Sequence, residues 1–199
     1  MRPMRILAGA AVAALAGLLV AANSGGLQRL ASEMTSARKS LVGGPFRLTT
    51  HKGGLLSDAD LKGAPFAIFF GFTHCPEVCP TALLEMTQTI AALGPDADKM
   101  RYLFVSVDPA RDTRELLEVY MSNFDSRIIG LTGPQADIDA IVKAYRVVVE
   151  KVPTSGGYTI NHTALTYLMG RDGRYFGVLG YQEPPDKRLE KLRRLIRDG

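Results

Sequence analysis

The 199-residue chain has only two cysteines and three histidines, and no segment of it repeats. Any thiol chemistry must therefore be built from a single pair of sulfurs. Lysine and arginine are spread along the chain rather than interleaved with aromatics, and the formal net charge is a modest +4. That pattern excludes a nucleic-acid-binding signature. The seven methionines form no Met-x-x-Met cluster, so no thioether metal site is indicated. The Cys-x-x-Cys spacing of common dithiol catalysts is missing, as is any recognisable signalling output module.

What the chain does have begins at its start. An uncharged run of 17 residues, Ile6 to Ala22, follows Arg2 and Arg5. As a helix it would measure roughly 26 Å against a hydrocarbon core of about 30 Å. The flanking arginines predict a cytoplasmic N-terminus with everything downstream exported. Residues 1–22 are thus expected to be a signal anchor holding the protein in the inner (cytoplasmic) membrane, with the soluble part on the periplasmic side. Val20-Ala21-Ala22 also offers a small-residue cleavage site. Residues 23–44 lack a steady period and read as a tether, and residues 45–199 as one folded domain.

Within that domain, Phe46 to Thr50 and Gly54 to Ser57 flank a His-Lys-Gly-Gly turn and predict a hairpin, with His51 on its surface. Ala67 to Thr73 is a near-continuous apolar run, the mark of a strand buried on both faces. Leu83, Met86, Ile90 and Leu93 recur at helical spacing and stop at Gly94-Pro95. Tyr102 to Val107 and Arg127 to Leu131 predict strands. Asp112 and Glu115 suggest a capping box opening a helix to about Phe124. Ile138, Ile141, Val142 and Tyr145 mark another helix. Strands follow at Val147 to Val152, Ala164 to Met169 and Tyr175 to Leu179, with residues 154–161 read as a long glycine-containing loop. Lys187 to Arg197 alternates with Leu189, Leu192, Leu195 and Ile196, giving an amphipathic terminal helix with a solvated cationic face. The alternation predicts an α/β fold with a mixed central sheet, helices on both faces and an N-terminal β-hairpin extension, similar to thioredoxin-like proteins. A wholly parallel, flavodoxin-like sheet fits less well, because the tight turn at 171–174 makes the last two strands antiparallel.

The chemistry concentrates in Gly71-Phe-Thr-His-Cys75-Pro-Glu-Val-Cys79-Pro80, where a buried strand passes into a helix. Sites in open α/β sheets form at strand C-terminal ends. Pro80 suits a first helical turn, which places both sulfurs near a positive helix end that favours thiolate. A disulfide closing so small a loop would add little stability. A dithiol redox pair and a metal site are the other two uses that the pair allows. Where thioredoxin-like folds place a cis-proline before the next-to-last strand, this chain has Asn161-His162-Thr163, and Pro153 lies far upstream. The inferred strand order brings His162 to the cysteines. Two soft thiolates and one imidazole suit Cu(I), whereas structural zinc takes four protein ligands. His74 is expected to point away from the pair.

The Gly71–Pro80 segment, Val105-Ser-Val-Asp108-Pro109-Ala-Arg111-Asp112-Thr113, Gly130-Leu-Thr-Gly133, and His162 ahead of Thr166-Tyr167-Leu168 together resemble the Sco/SenC family of copper chaperones for cytochrome c oxidase assembly. The resemblance runs from about Phe46 to Gly180. It implies a membrane-tethered thioredoxin-like domain that binds copper, as Cu(I) and in part Cu(II), through Cys75, Cys79 and His162. It further implies that copper or reducing equivalents pass to the CuA centre of oxidase subunit II, with a periplasmic thiol reductant and other copper chaperones as further partners. The family often has Asp before the ligand histidine. Asn161 stands there in this chain and cannot supply a carboxylate to orient the imidazole. Asp108 is a candidate for partner contact or support of the ligand loop, or caps the following turn. Two other roles stay open: a thiol:disulfide oxidoreductase acting on subunit II cysteines through Cys75 and Cys79 without carrying metal, and a copper or redox sensor.

Overall fold

The computed structural model describes residues 42–199; the expected anchor, 1–22, and residues 23–41 of the tether lie outside them. In chain order the elements are β1 (Arg47–Thr50), β2 (Gly54–Ser57), β3 (Phe66–Gly71), α1 (Val78–Leu93), β4 (Arg101–Ser106), α2 (Arg114–Met121), β5 (Ile128–Thr132), α3 (Gln135–Ala144), β6 (Val149–Thr154), β7 (Gly157–His162), β8 (Leu165–Met169), β9 (Tyr175–Gly180) and α4 (Pro185–Asp198). Seven strands form one sheet in the order β2-β1-β5-β4-β3-β8-β9. β3, β4 and β5 run parallel, while β1, β8 and β9 pair antiparallel with their neighbours. The sheet is therefore mixed, and the fold is thioredoxin-like. No helix among the described residues is long and apolar enough to cross a membrane.

The apolar run that makes β3 leaves no polar face, and all six of its residues are buried. Such a strand is stable only with cover on both sides. Phe70 packs on Tyr145, just past α3, and on Tyr167, with ring centroids 5.3 and 6.0 Å away. Phe69, on the opposite face, meets Phe104, which in turn meets Tyr120 of α2. Helices thus cover both faces, α3 on one and α1 and α2 on the other. The close seat of α2 on β5 requires glycine at 130, where a Cβ would lie 2.7 Å from Met121 Cγ. Val42 to Gly44, expected in the tether, dock on the domain: Val42 packs against the core and the Gly43 N–H donates to the Ala144 carbonyl at 3.0 Å.

Four local expectations are corrected. Residues 154–161 are not a long loop: β6 and β7 pair antiparallel in a separate two-stranded sheet closed by a tight turn at Ser155-Gly156. The strand expected at Val147 to Val152 belongs to that hairpin, whose Glu150 and Lys151 suit an exposed position. The cap of α2 is Thr113, whose side chain accepts the Leu116 N–H at 3.3 Å, and Asp112 is freed for another task. On the cationic face of α4, Arg188 turns inward, 4 % exposed, and pairs with Glu85 at 2.6 Å.

The fourth correction concerns His51, which is only 6 % exposed. Its main-chain N–H donates to the Gly130 carbonyl at 2.8 Å, and its Nδ1 accepts the Gly130 N–H at 2.9 Å, tying the β1–β2 turn to β5. Burial lowers its pKa from 6.5, with Lys52 acting in the same direction and the Gly130 contact and Glu118 opposing. The Arg114 guanidinium, at 3.5 Å from the His51 carbonyl, faces the same turn. Neutral imidazole is the form that folds, so the unfolded chain binds the extra proton. The contribution is complete above pH 6.5 and is lost as pH falls through the lower folded value. Between pH 7.5 and 5.5, urea unfolding should show a loss of up to about 1.4 kcal/mol from this residue. His51→Asn, which keeps an acceptor but does not titrate there, should flatten that slope; an unchanged slope contradicts the assignment.

Candidate metal centre

The site is built where β3 ends. Cys75 Sγ, Cys79 Sγ and a nitrogen of His162 all lie within 4.8 Å of one another. Both cysteines are free thiols, Cys79 buried and Cys75 half-buried. Cys79 is the second residue of α1, whose N-cap, Glu77, makes no side-chain cap. The first turn of a helix has N–H groups without internal partners. Here Cys75 Sγ takes that of Cys79 at 3.4 Å, so a sulfur stands in for the usual capping oxygen. The seat of Cys79 depends on Gly71: a Cβ there would lie 2.7 Å from its Sγ and 2.8 Å from Phe104 Cε2.

The loop between strand and helix is pinned by Asp112, which is fully buried. Its carboxylate accepts the Thr73 N–H at 2.9 Å, the Thr73 hydroxyl at 2.6 Å and the Ser106 hydroxyl at 2.6 Å. His74 leans on the same group, with Nδ1 3.5 Å from Asp112 Oδ1 and 3.0 Å from Thr73 Oγ1, and so lies outside the sulfur cluster.

His162 ends β7, and its Nε2 stands 3.3 Å from Cys79 Sγ. Its Nδ1 is 3.2 Å from the Thr163 carbonyl, which can only accept, so Nδ1 carries a proton. Nε2 then presents a lone pair to the sulfurs in the neutral ring and a second donor in the protonated one. Phe69 and Phe72 pack edge-on against the imidazole at 6.0 and 5.9 Å and fix its plane. Four residues back on β7, the Tyr158 hydroxyl donates to Asp108 Oδ1 at 2.7 Å. Arg111 donates through Nε to Asp108 and through Nη1 to the Tyr158 carbonyl at 3.0 Å, and its guanidinium lies 3.8 Å from the Tyr158 ring centroid. Asp108 is fully buried, so its place is to clamp the hairpin rather than to meet a partner at the surface. The Asp108 N–H also donates to Ser106 Oγ at 3.1 Å, joining this clamp to the Asp112 cluster. Asn161 is exposed and borders an open cleft of about 340 Å³ shared with Phe72, Cys75–Val78, Thr159, Ile160, His162 and Ala164.

The two thiols differ in protonation. A hydrogen bond from Cys79 is the largest influence on Cys75, followed by an opposing burial effect and by help from His162 and the main-chain N–H groups of Cys79 and Glu77; the balance holds its pKa down to about 3. Donating to Cys75, and then burial, push Cys79 above the usual thiol range. The pair therefore holds one thiolate, on the accessible sulfur, and one proton, on the buried one.

Sequence reasoning singled out Cys75, Cys79 and His162, and the structure brings all three together. It missed Asp112 as the anchor of the ligand loop, although Thr113 beside it is the better cap and would have released it. It also missed Arg111 and Tyr158, since nothing in a tyrosine on an assumed loop signals a clamp.

A dithiol at the end of a central strand of a thioredoxin-like sheet, facing an imidazole from a separate hairpin, is a donor set suited to soft metal ions or to disulfide exchange. The chain belongs to the SCO1/SenC family, which residues 34–197 match. It is similar to the mitochondrial protein SCO1 homolog of Homo sapiens, 40% identical over 149 residues that make up 71% of this chain and 48% of that protein. The chain spans about half the length of the first such relatives. Among solved structures it resembles Bradyrhizobium japonicum ScoI with copper bound, with 47% identity, a TM-score of 0.73 and coverage of 77% of this chain and 99% of that one. It also resembles BsSco, described as a Sco-family cytochrome c oxidase assembly protein with a disulfide switch, with 25% identity, a TM-score of 0.67 and coverage of 80% and 96%.

Two outcomes are expected. At pH 6, iodoacetamide should label Cys75 and spare Cys79 in the folded protein, as peptide mass mapping would report; equal labelling contradicts the division of the proton. Asp112→Ala would leave three donors without their acceptor, two part-buried ones from Thr73 and a buried one from Ser106. Urea unfolding should register a loss of about 3 kcal/mol or more, and a loss under about 1 kcal/mol would remove Asp112 from its anchoring role.

Proposed function

We propose that this chain is a copper chaperone that takes up Cu(I) as cargo through Cys75, Cys79 and His162 and delivers it during cytochrome c oxidase assembly, to the CuA centre of subunit II. The observation that carries the reading is the convergence of two sulfurs and one imidazole nitrogen within 4.8 Å. This donor set is soft and low in number, which matches Cu(I) and falls short of a four-ligand zinc site. The thiolate and the proton-bearing Nδ1 prepare two of the ligands for uptake; Cys79 must lose its proton on binding, so uptake releases it to solvent. An acceptor's thiolates then displace Cys75, Cys79 and His162 one at a time, each exchange conserving ligand number. Asn161 brings no charge toward the ion, so Cu(II) is held less well than Cu(I). In this reading residues 1–22 anchor the chain in the cytoplasmic membrane, the domain faces the periplasm, and a periplasmic thiol reductant and other copper chaperones serve it.

A specific feature favours a second reading. A half-exposed thiolate beside a buried thiol is the arrangement of an attacking and a resolving cysteine. Cys75 would attack a disulfide of subunit II to give a mixed disulfide, and Cys79 would displace the partner. Two electrons pass to the partner's dithiol, and the Cys75–Cys79 disulfide is left behind.

Anaerobic titration of the reduced full-length chain with Cu(I), followed by X-ray absorption, separates the two. The chaperone reading expects one ion per chain with a two-sulfur, one-nitrogen shell. His162→Ala should lose the nitrogen and at least about tenfold in affinity. Absence of stoichiometric binding, or a shell and affinity unchanged by His162→Ala, overturns it.

A further inference from the structure

The β6–β7 hairpin has two outer edges, and they are built differently. Thr163 N–H donates to the Val148 carbonyl at 3.1 Å, and in the register that follows, Asn161 pairs with Glu150, Thr159 with Val152 and Gly157 with Thr154 as the hydrogen-bonded positions. Pro153, opposite Tyr158, falls at a position whose N–H would point outward, which is where a residue without one is tolerated. The outer edge of β6 therefore carries Pro153 and Lys151, two devices that block strand addition. On β7 the main-chain groups of Tyr158, Ile160 and His162 point away from β6. The Tyr158 carbonyl is taken by Arg111. Ile160, 5 % exposed, has no main-chain partner on that side among the described residues. The open edge borders the cleft of about 340 Å³ whose other wall holds Phe72 and Cys75–Val78.

We propose that the β7 edge at Ile160 is a docking strand, and that its occupant is an extended, cysteine-bearing segment of the copper acceptor, which adds to β7 and is thereby drawn along Cys75 and His162. Naming the acceptor rests on the reading above; the docking itself does not. An N–H and a C=O on an unpaired strand edge facing a cleft call for a partner, and an extended backbone supplies a donor and an acceptor in matching register. The same cleft contains the half-buried sulfur, so a segment seated there must meet it with its own side chains. An extended segment alternates its side chains between two faces, so one residue facing the sulfurs leaves its neighbours facing outward. Protection of one edge of the hairpin and not the other fits a surface kept open for pairing.

The test tethers the segment. In the full-length Cys79→Ser chain, the Cys75 thiolate attacks the 2-thiopyridyl disulfide of a seven-residue peptide with a central cysteine and alternating threonine and valine. One S–S bond forms, the other breaks, and pyridine-2-thione leaves with the electron pair and takes up a proton. Amide hydrogen exchange is compared with that of a chain tethered to a peptide whose valines are replaced by proline. The Ile160 amide should exchange at least about fivefold more slowly with the pairing peptide, while Lys151 is unchanged. Ile160→Pro, which removes the N–H that would donate to the peptide, should weaken the pairing and so lower the protection of the peptide's own amides; Ile160→Ala, which keeps the N–H, should retain it. Equal exchange at Ile160 with both peptides, or equal slowing at Lys151, overturns the proposal, and the wild-type comparison at Ile160 decides the matter if the proline variant does not fold. No copper is present, so this outcome and that of the copper titration are independent.

Discussion

One sulfur serves two structures at the start of α1. Cys75 Sγ accepts the N–H of Cys79 and so closes the first turn of the helix, and the same atom is the accessible donor of the site. Much else follows from that sharing. The loop must curl tightly enough to return the sulfur to the helix, which is the task of Thr73 and Asp112. The helix must approach the strand closely enough to bury Cys79, which leaves room only for glycine at 71. The hydrogen bond from Cys79 to Cys75 then sets the two thiols apart, with burial of Cys79 and the N–H groups on Cys75 adding to it.

The third donor comes from a different part of the molecule. His162 stands on a hairpin outside the main sheet, and its place is fixed by contacts rather than by the ladder. Tyr158, Arg111 and Asp108 hold one end, and Phe69 and Phe72 hold the ring. Ser106 joins the two halves, donating a hydrogen bond to Asp112 and accepting one from the Asp108 main-chain N–H, so the hairpin clamp and the dithiol loop meet at the end of β4. A network of this kind is stable only when every member is satisfied, because each lone buried group is costly.

The core was legible because its signals are local and strong. The unbroken apolar run of β3, the spacing of Leu83, Met86, Ile90 and Leu93, and the glycine-proline stops need no tertiary knowledge. The dithiol was legible for the same reason, since strand end, helix start and cysteine pair are contiguous. His162 needed an assumed strand order as well as the resemblance. What stayed hidden depends on partners distant in sequence. His51 looked like a turn residue because its partner, Gly130, is 79 positions away. Asp112 looked like a cap because its acceptor role depends on Thr73, 39 positions away. Only the β7 half of the β6–β7 hairpin was read as a loop: it opens on Gly157 and buries Ile160 alone, so neither apolar alternation nor length marked it.

The sulfur cap ties helix stability to ligand state by thermodynamic reciprocity. Whatever draws electron density from Cys75 Sγ, an ion or a second sulfur, makes it a weaker acceptor for the Cys79 N–H; equally, the hydrogen bond from that N–H lowers the donor strength of the sulfur. Site and helix thus share one sulfur atom, and a change at either is felt at the other. The first turn of α1 is thereby part of the chemistry of the site through its main chain as well as through Cys79.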